Sequence, residues 1–372
     1  MLAAMSPSPA AFEPAPERAG RGRDDACPGA MRLHAADDGA LARVRVPGGL
    51  LAGDQTRALA DAAAELGDGA LEATSRGNLQ LRGLAPDAGA ELAARLRAVG
   101  LLPSDSHDRV RNLVASPLAG LRAAAAPATG TPTSDAPTTG AGEPADPRRT
   151  SPDLRPWVRA LDALLCASPT AGALSGRFLF ALDDGWGDVA ALDADVTLIA
   201  RVAVPSTPTD TTPAPVEPAA ARPALLRLGR AHWCAEVADG PRAALAVAEE
   251  FARLAAAGVW RIREADPDGT VLAERLGLVP RPLPAWSEPS ERPPAVGPCA
   301  GGLAVGLRFG RGSADQWRAL AALGDELRVT PWRSVVVPGA GAERLPELAA
   351  LGLRTVPGTP WERATACTGS PG

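Results

Sequence analysis

The chain has 372 residues, a net charge of −5 and 46% apolar residues, enough for two or three domains, each with its own core. Every basic residue is arginine, tyrosine is absent, and the five cysteines are scattered, so a disulfide framework and a basic nucleic-acid-binding block are both excluded. No stretch reaches the ~20 apolar residues of a membrane span, and the first residues lack a basic segment leading into an apolar core. The expectation is a cytoplasmic protein with no membrane or nucleic-acid partner.

Residues 1–23, rich in Ala, Pro, Ser and Glu, predict a disordered tail. From Met31 to Val46, two strand-like runs flank a turn that carries Asp38-Gly39. Cys27 stands just before them, either as a buried structural thiol or as a group facing a metal or ligand. Ala and Leu at helical spacing predict a helix over Asp54–Leu66, stopped by Gly67, and a second over Asp87–Val99. Between them lies Leu71-Glu-Ala-Thr-Ser-Arg-Gly-Asn-Leu-Gln-Leu-Arg82, two strand-like pieces around a Ser-Arg-Gly-Asn turn. If the run stays extended, Thr74, Arg76, Asn78, Gln80 and Arg82 share one face. Arginine forks match carboxylates bidentately, so this face suits a ligand with several carboxylates. The alternative is an ordinary solvated strand face.

Arg109 and Arg111 flank Val110, and Asn112 follows. Residues 121–152 and 205–223 are low-complexity Pro/Thr/Ala insertions within a unit spanning 103–290. That unit is expected to hold a helix over Pro152–Cys166, which puts Cys166 in the core. A buried strand over Arg177–Asp183, another over Asp195–Val204, a strand over Leu225–Leu228 and a helix over Arg242–Ala257 complete an α/β lobe. His232 and Cys234, at i and i+2, form a metal pair only if further ligands join them, and none is spaced to do so. Residues 265–300 are Pro- and charge-rich and read as an interdomain connection.

The chain then repeats itself. Leu303–Gly310, Ser313–Leu323 and Glu326–Val337 restate strand, helix and strand in the order of residues 42–82. Asp54-Gln55 matches Asp315-Gln316, Arg57–Ala60 matches Arg318–Ala321, and Thr74 matches Thr330. Two modules related by a pseudo-two-fold follow, one over 24–102 and one over 295–356. Ser313-Ala-Asp-Gln316 is a capping box opening the second module's helix.

Thr-x-Arg-x-Asn-x-Gln-x-Arg after a βα unit, duplicated in one chain, resembles the sulfite/nitrite reductase superfamily. Ala26–Leu33, Val110–Gly120 and Leu174–Asp183 resemble its precorrin-3B synthase branch most. The resemblance implies an α+β fold in which two ferredoxin-like half-domains alternate with α/β lobes of the nitrite/sulfite reductase type. It implies that Thr74, Arg76, Asn78, Gln80, Arg82, Arg111, Asn112 and Arg177 line a tetrapyrrole site. It also implies oxygen-dependent conversion of precorrin-3A to precorrin-3B, with a [4Fe–4S] cluster, a non-haem iron and an electron donor. The alternatives are a sirohaem sulfite or nitrite reductase, or a tetrapyrrole-binding chain without turnover. Leu179 stands where the reductases carry a second cation, a departure from the sirohaem pattern. Residues 357–372 resemble the opening of the iron–sulfur lobe, with Cys367 as its first thiolate. The second would fall one residue beyond Gly372, so the expectation is a fragment or a chain without the cluster. The three histidines match no motif, and no Gly-x-Ser-x-Gly elbow occurs.

Overall fold

A computed structural model describes residues 27–122, 151–200, 223–284 and 293–362. The first half-domain runs β1 (Ala40–Val44), β2 (Leu50–Ala52), α1 (Gly53–Leu66), β3 (Ala70–Ala73), β4 (Leu79–Leu84) and α2 (Gly89–Ala98). The lobe follows with β5 (Leu113–Ala115), α3 (Arg155–Ala167), β6 (Phe180–Asp183), β7 (Val196–Ala200), β8 (Ala224–Leu228), β9 (Trp233–Val237) and α4 (Gly240–Leu254). It closes with α5 (Ile262–Ala265), α6 (Thr270–Arg275) and β10 (Arg281–Pro282). The second half-domain runs β11 (Gly297–Cys299), β12 (Gly302–Gly306), β13 (Arg311–Ser313), α7 (Ala314–Ala321), β14 (Glu326–Val329), β15 (Ser334–Pro338) and α8 (Leu345–Ala350).

The fold is α+β, and the repeat is real in three dimensions. Gln55 accepts the N–H of Ala52 at 3.0 Å and donates to Val99 O at 2.9 Å. Gln316 accepts the N–H of Ser313 at 2.9 Å and donates to Leu351 O at 2.7 Å. Each glutamine thus caps its own helix and ties it to the end of the next. Ser313 Oγ accepts the N–H of Gln316 at 3.2 Å, which completes the expected capping box.

The two half-domains exchange strands. One sheet runs β1-β4-β3-β13 and the other β11-β12-β15-β14-β2. The short strand before each helix therefore pairs with the other module's sheet: β2 with β14, and β13 with β3. A single core lies behind both sheets, where Leu59, Leu71, Leu81, Val305, Trp317, Leu327 and Val335 are all buried. The lobe is a six-stranded sheet in the order β10-β9-β8-β7-β6-β5, parallel from β5 to β7 and antiparallel beyond.

Several sequence expectations shift. The motif run forms two strands around the Ser-Arg-Gly-Asn turn as read, and because Thr74–Asn78 turns between β3 and β4 the extended form with five polar side chains on one face is not adopted. The strand expected from Arg177 begins at Phe180, and the first run of the Met31–Val46 hairpin contributes only an isolated bridge, His34 to Leu41. The Pro-rich connection 265–300 holds helix α6 and edge strands β10 and β11 in its described part. The proline there signalled only breaks in the chain, whereas sheet edges accept proline readily. The tail 1–23, most of both insertions, and Cys367 lie outside the described residues.

Candidate functional site

The hairpin turn after β3 is built around one hydroxyl. Thr74 Oγ1 accepts the N–H groups of Arg76 at 3.4 Å and Asn78 at 3.2 Å, while Thr74 N donates to Asn78 O at 2.9 Å. Gly77 takes φ +66°, where glycine carries no steric penalty. The turn lifts Arg76 off the sheet, and its Nη1 donates to Gly176 O of the lobe at 3.2 Å.

Asn78 and Asn112 are buried and bonded to each other, Nδ2 to Oδ1 at 3.1 Å. Asn78 Oδ1 also accepts Val46 N–H at 3.0 Å, and Asn112 Nδ2 reaches Gly176 O and Phe178 O. Both side chains are occupied in joining the half-domain to the lobe. Gln80 lies in a polar row across four strands: Arg43 Nη2 donates to Gln80 Oε1 at 3.2 Å, and Gln80 Nε2 donates to Glu72 Oε2 at 3.1 Å. Arg311 Nη1 completes the row on Glu72 Oε1 at 3.1 Å.

The remaining candidates divide. Arg82 forks onto Asp38 with two bonds of 2.9 Å. Arg111 forks onto Asp162 with two bonds of 2.7 Å and donates a third to Leu101 O at 2.9 Å. These two arginines are buried structural ions whose donors face inward. Arg177 is exposed and stacks over Trp260, 4.6 Å from the ring centroid. Leu179 is buried against Val114 and Ala181, with Trp332 of the second half-domain packed on the same cluster.

The structure adds a residue that the sequence reading passed over. Arg45 is 2% exposed, donates Nε to Arg109 O at 3.1 Å, and has no partner for Nη1 or Nη2 among the described residues. Burial, followed by the neighbouring charge of Arg43, pushes its pKa down to about 9. Burial also lowers the pKa of Arg43 and Arg76, and the charge of Arg261 adds to the effect at Arg76. Cys27 lies within electrostatic reach of all three arginines. Asp108 holds the approaching segment by accepting Ala30 N–H at 2.8 Å and Met31 N–H at 3.2 Å. The alternation Arg43-Val-Arg45, at the end of β1 and just past it, was the available signal, since alternate residues of an extended run fall on one face.

The other candidates hold no metal set. Cys234 is buried and its thiol points to Pro282 O at 3.7 Å. Among the described residues the one group of three metal-type ligands is Asp183, Asp184 and Asp188. Part of its charge is met internally. Asp183 accepts backbone N–H groups from Gly185, Gly187 and Ala190, and Arg122 pairs with Asp184 at 3.0 Å.

Residues 34–99 match the nitrite/sulfite reductase ferredoxin-like half domain. A ferredoxin–nitrite reductase of Synechococcus elongatus is 48% identical over 86 residues, 23% of this chain and 17% of that protein. The chloroplastic ferredoxin–nitrite reductase of Zea mays is 44% identical over 84 residues, 22% of this chain and 15% of that protein. The chain therefore matches under a fifth of the length of these curated relatives. The solved Mycobacterium tuberculosis NirA protein superposes with a TM-score of 0.63 at 21% identity, covering 89% of this chain and 60% of NirA. Residues 34–99 thus form a nitrite/sulfite reductase ferredoxin-like half domain, in a chain that shares the fold of NirA over most of its length.

Proposed function

We propose that this chain is an oxidoreductase of the nitrite/sulfite reductase kind, and that Arg43, Arg45 and Arg76 receive the carboxylates of a bound tetrapyrrole. The observation that carries the reading is Arg45. A guanidinium this deeply buried with two unfilled nitrogens is costly unless an anion completes it. The cost is recovered when a carboxylate docks, which makes the group a preformed anion receptor. Arg76, set on the turn against Gly176, contributes a second cation, and Arg43 a third. Arg82 and Arg111 hold the scaffold, and Arg177 shapes the exposed rim with Trp260.

The comparisons support a sirohaem-type tetrapyrrole and a ferredoxin-like electron donor more than a precorrin substrate and molecular oxygen. When bound, sirohaem would supply the electron path to a small oxyanion. The residues of this chain would hold its carboxylates and keep their surroundings positive. The described residues do not fit a [4Fe–4S] cluster. Cys166 is on α3, Cys234 in β9 and Cys299 in β11, and no three cysteines converge, so no step is drawn through a cluster.

A second reading, in which the tetrapyrrole is the precorrin-3A substrate of a precorrin-3B synthase, is favoured by one observation. Leu179 offers a buried apolar side chain where the resemblance to the reductases calls for a second cation. The absorption spectrum of the purified protein separates the two. A tightly held haem-type Soret band supports the reductase reading, whereas a chain that binds added precorrin reversibly and purifies without that band supports the second. If Arg45→Met and Arg76→Ala leave affinity for both sirohaem and precorrin-3A unchanged, the site assignment fails under either reading.

A further inference from the structure

The second half-domain carries its own copy of the Arg76 turn, and this copy opens onto a cavity of about 480 Å3. Thr330 N donates to Ser334 O at 2.8 Å, and Thr330 Oγ1 accepts the N–H groups of Trp332 at 3.2 Å and Ser334 at 3.3 Å. These are the bonds of the Thr74 turn. Trp332 therefore stands at the place of Arg76, Arg333 at that of Gly77, and Ser334 at that of Asn78. By the same correspondence Phe309-Gly310, which leads into β13, occupies the place of Gly48-Gly49, which leads into β2.

The backbone follows the correspondence closely. Phe309 has φ +55° where Gly48 has +64°, and Arg333 has φ +59° where Gly77 has +66°. Among the described residues, Phe309 and Arg333 are the two non-glycine residues at positive φ, and both line the cavity. The first module uses glycine at both places, as the conformation favours. The second keeps a phenyl ring and a guanidinium there against that preference. Retained backbone strain of this kind clusters at binding and catalytic sites.

The lining has a definite chemistry. Phe309 and Trp361 meet edge to face at 5.3 Å, Arg308 lies 5.3 Å over the Trp361 ring, and the two residues are still 41% and 40% exposed, so part of their ring surface remains open. Trp332 adds a third ring, and Arg333 and Arg354 supply guanidinium groups. Among the described residues, no acidic side chain lines the cavity. Arg354 lies over Gly306, where even a Cβ would collide with its guanidinium. Gly306 holds the position of Arg45, so the second module brings its cation from a different segment.

The geometry points to a second ligand site here, for a flat conjugated carboxylate of one or two rings that stacks on the aromatic walls and pairs with Arg333 and Arg354. The volume is in the range of small-molecule sites. Stacking on rings and bidentate pairing with guanidinium are the two modes that this lining offers. The site does not rest on the reading of the first.

The test uses the full chain with 8-anilinonaphthalene-1-sulfonate as reporter, 2-naphthoate as competitor, and 2-naphthamide as its uncharged analogue. Saturable one-to-one binding is expected, with naphthoate displacing the reporter at least tenfold better than the amide. Phe309→Gly and Arg333→Gly restore the residues of the first module. Each should weaken naphthoate binding at least tenfold without lowering the melting temperature, because glycine takes these φ values more readily. Should Phe309→Gly melt earlier, Trp361→Leu at its exposed position gives the same readout. Absence of one-to-one binding overturns the proposal, as does naphthoate affinity unchanged in Arg333→Gly together with either ring variant.

Discussion

Arg45 sets the terms at the scale of single residues. Its depressed pKa means that the folded state carries the burden of its charge fully below about pH 9, and that the burden eases as pH rises toward the ordinary arginine value. Replacing it by Met removes a buried, incompletely paired cation and keeps the volume, so stability should hold or rise by about 1 kcal/mol while tetrapyrrole affinity falls tenfold or more. Paired denaturant melts and absorbance titrations check both halves of that expectation. Asp188 is the opposite case. Burial first, then the charges of Asp184 and Asp183, raise its pKa, and its Oδ1 accepts Ser116 Oγ at 2.5 Å. The folded chain therefore holds a proton that the unfolded chain releases. The stability this gives is present in acid and is lost as pH climbs from the ordinary carboxylate range through neutrality. The melting temperature should fall between pH 5 and pH 8.5, and Asp188→Asn should flatten that slope. An equal slope in the variant would rule out Asp188 as its source.

The hairpins and their junctions decide stability at the scale of elements. The Asn78–Asn112 pair joins the β4 hairpin to the loop before β5, and each amide makes further buried bonds. Removing one leaves the other's donor or acceptor buried and unpaired, at about 1–3 kcal/mol. Asn78→Ala should therefore cost about 2 kcal/mol in chemical denaturation and also weaken tetrapyrrole binding, because it loosens the turn that carries Arg76. Gly77→Ala places a Cβ at φ +66°, with Val329 O only 3.1 Å away, and should cost about 1–2 kcal/mol. The Thr-x-x-x-Asn hairpin was legible because Ser-Arg-Gly-Asn is turn chemistry flanked by alternating leucines. Which arginines stay available was not legible. Arg82 and Arg111 have the same side chain as Arg76, and only the folded chain brings Asp38 and Asp162 against them.

The strand exchange makes the two half-domains one cooperative unit at the scale of the molecule. β2 completes the second sheet and β13 the first, over a shared core. Neither sheet keeps its full complement of strands if the other unfolds. Native-state hydrogen exchange should therefore give β3 and β14 amides the same opening free energy. Trp317→Ala, which removes a fully buried ring on α7, should lower protection in both sheets together, by about 3–5 kcal/mol. Separate opening energies for the two sheets would show that the modules fold independently. In the membrane context, no helix among the described residues is long and apolar enough to cross a bilayer.

The resemblance carried by the repeat implied the α+β class, while the sequence by itself determined most helices to within a few residues, the capping box of the second module and the turn that presents Arg76. Those features depend on local periodicity, capping and turn residues, which act over a few positions of the chain. Only the tertiary structure decided which sheet β2 and β13 join, which guanidiniums are matched by carboxylates, that Arg45 stands buried with open donors, and that a second turn faces an aromatic cavity. Those features depend on partners from 32 to 278 residues away, and a pairing at that range leaves no periodic trace in the residues that make it.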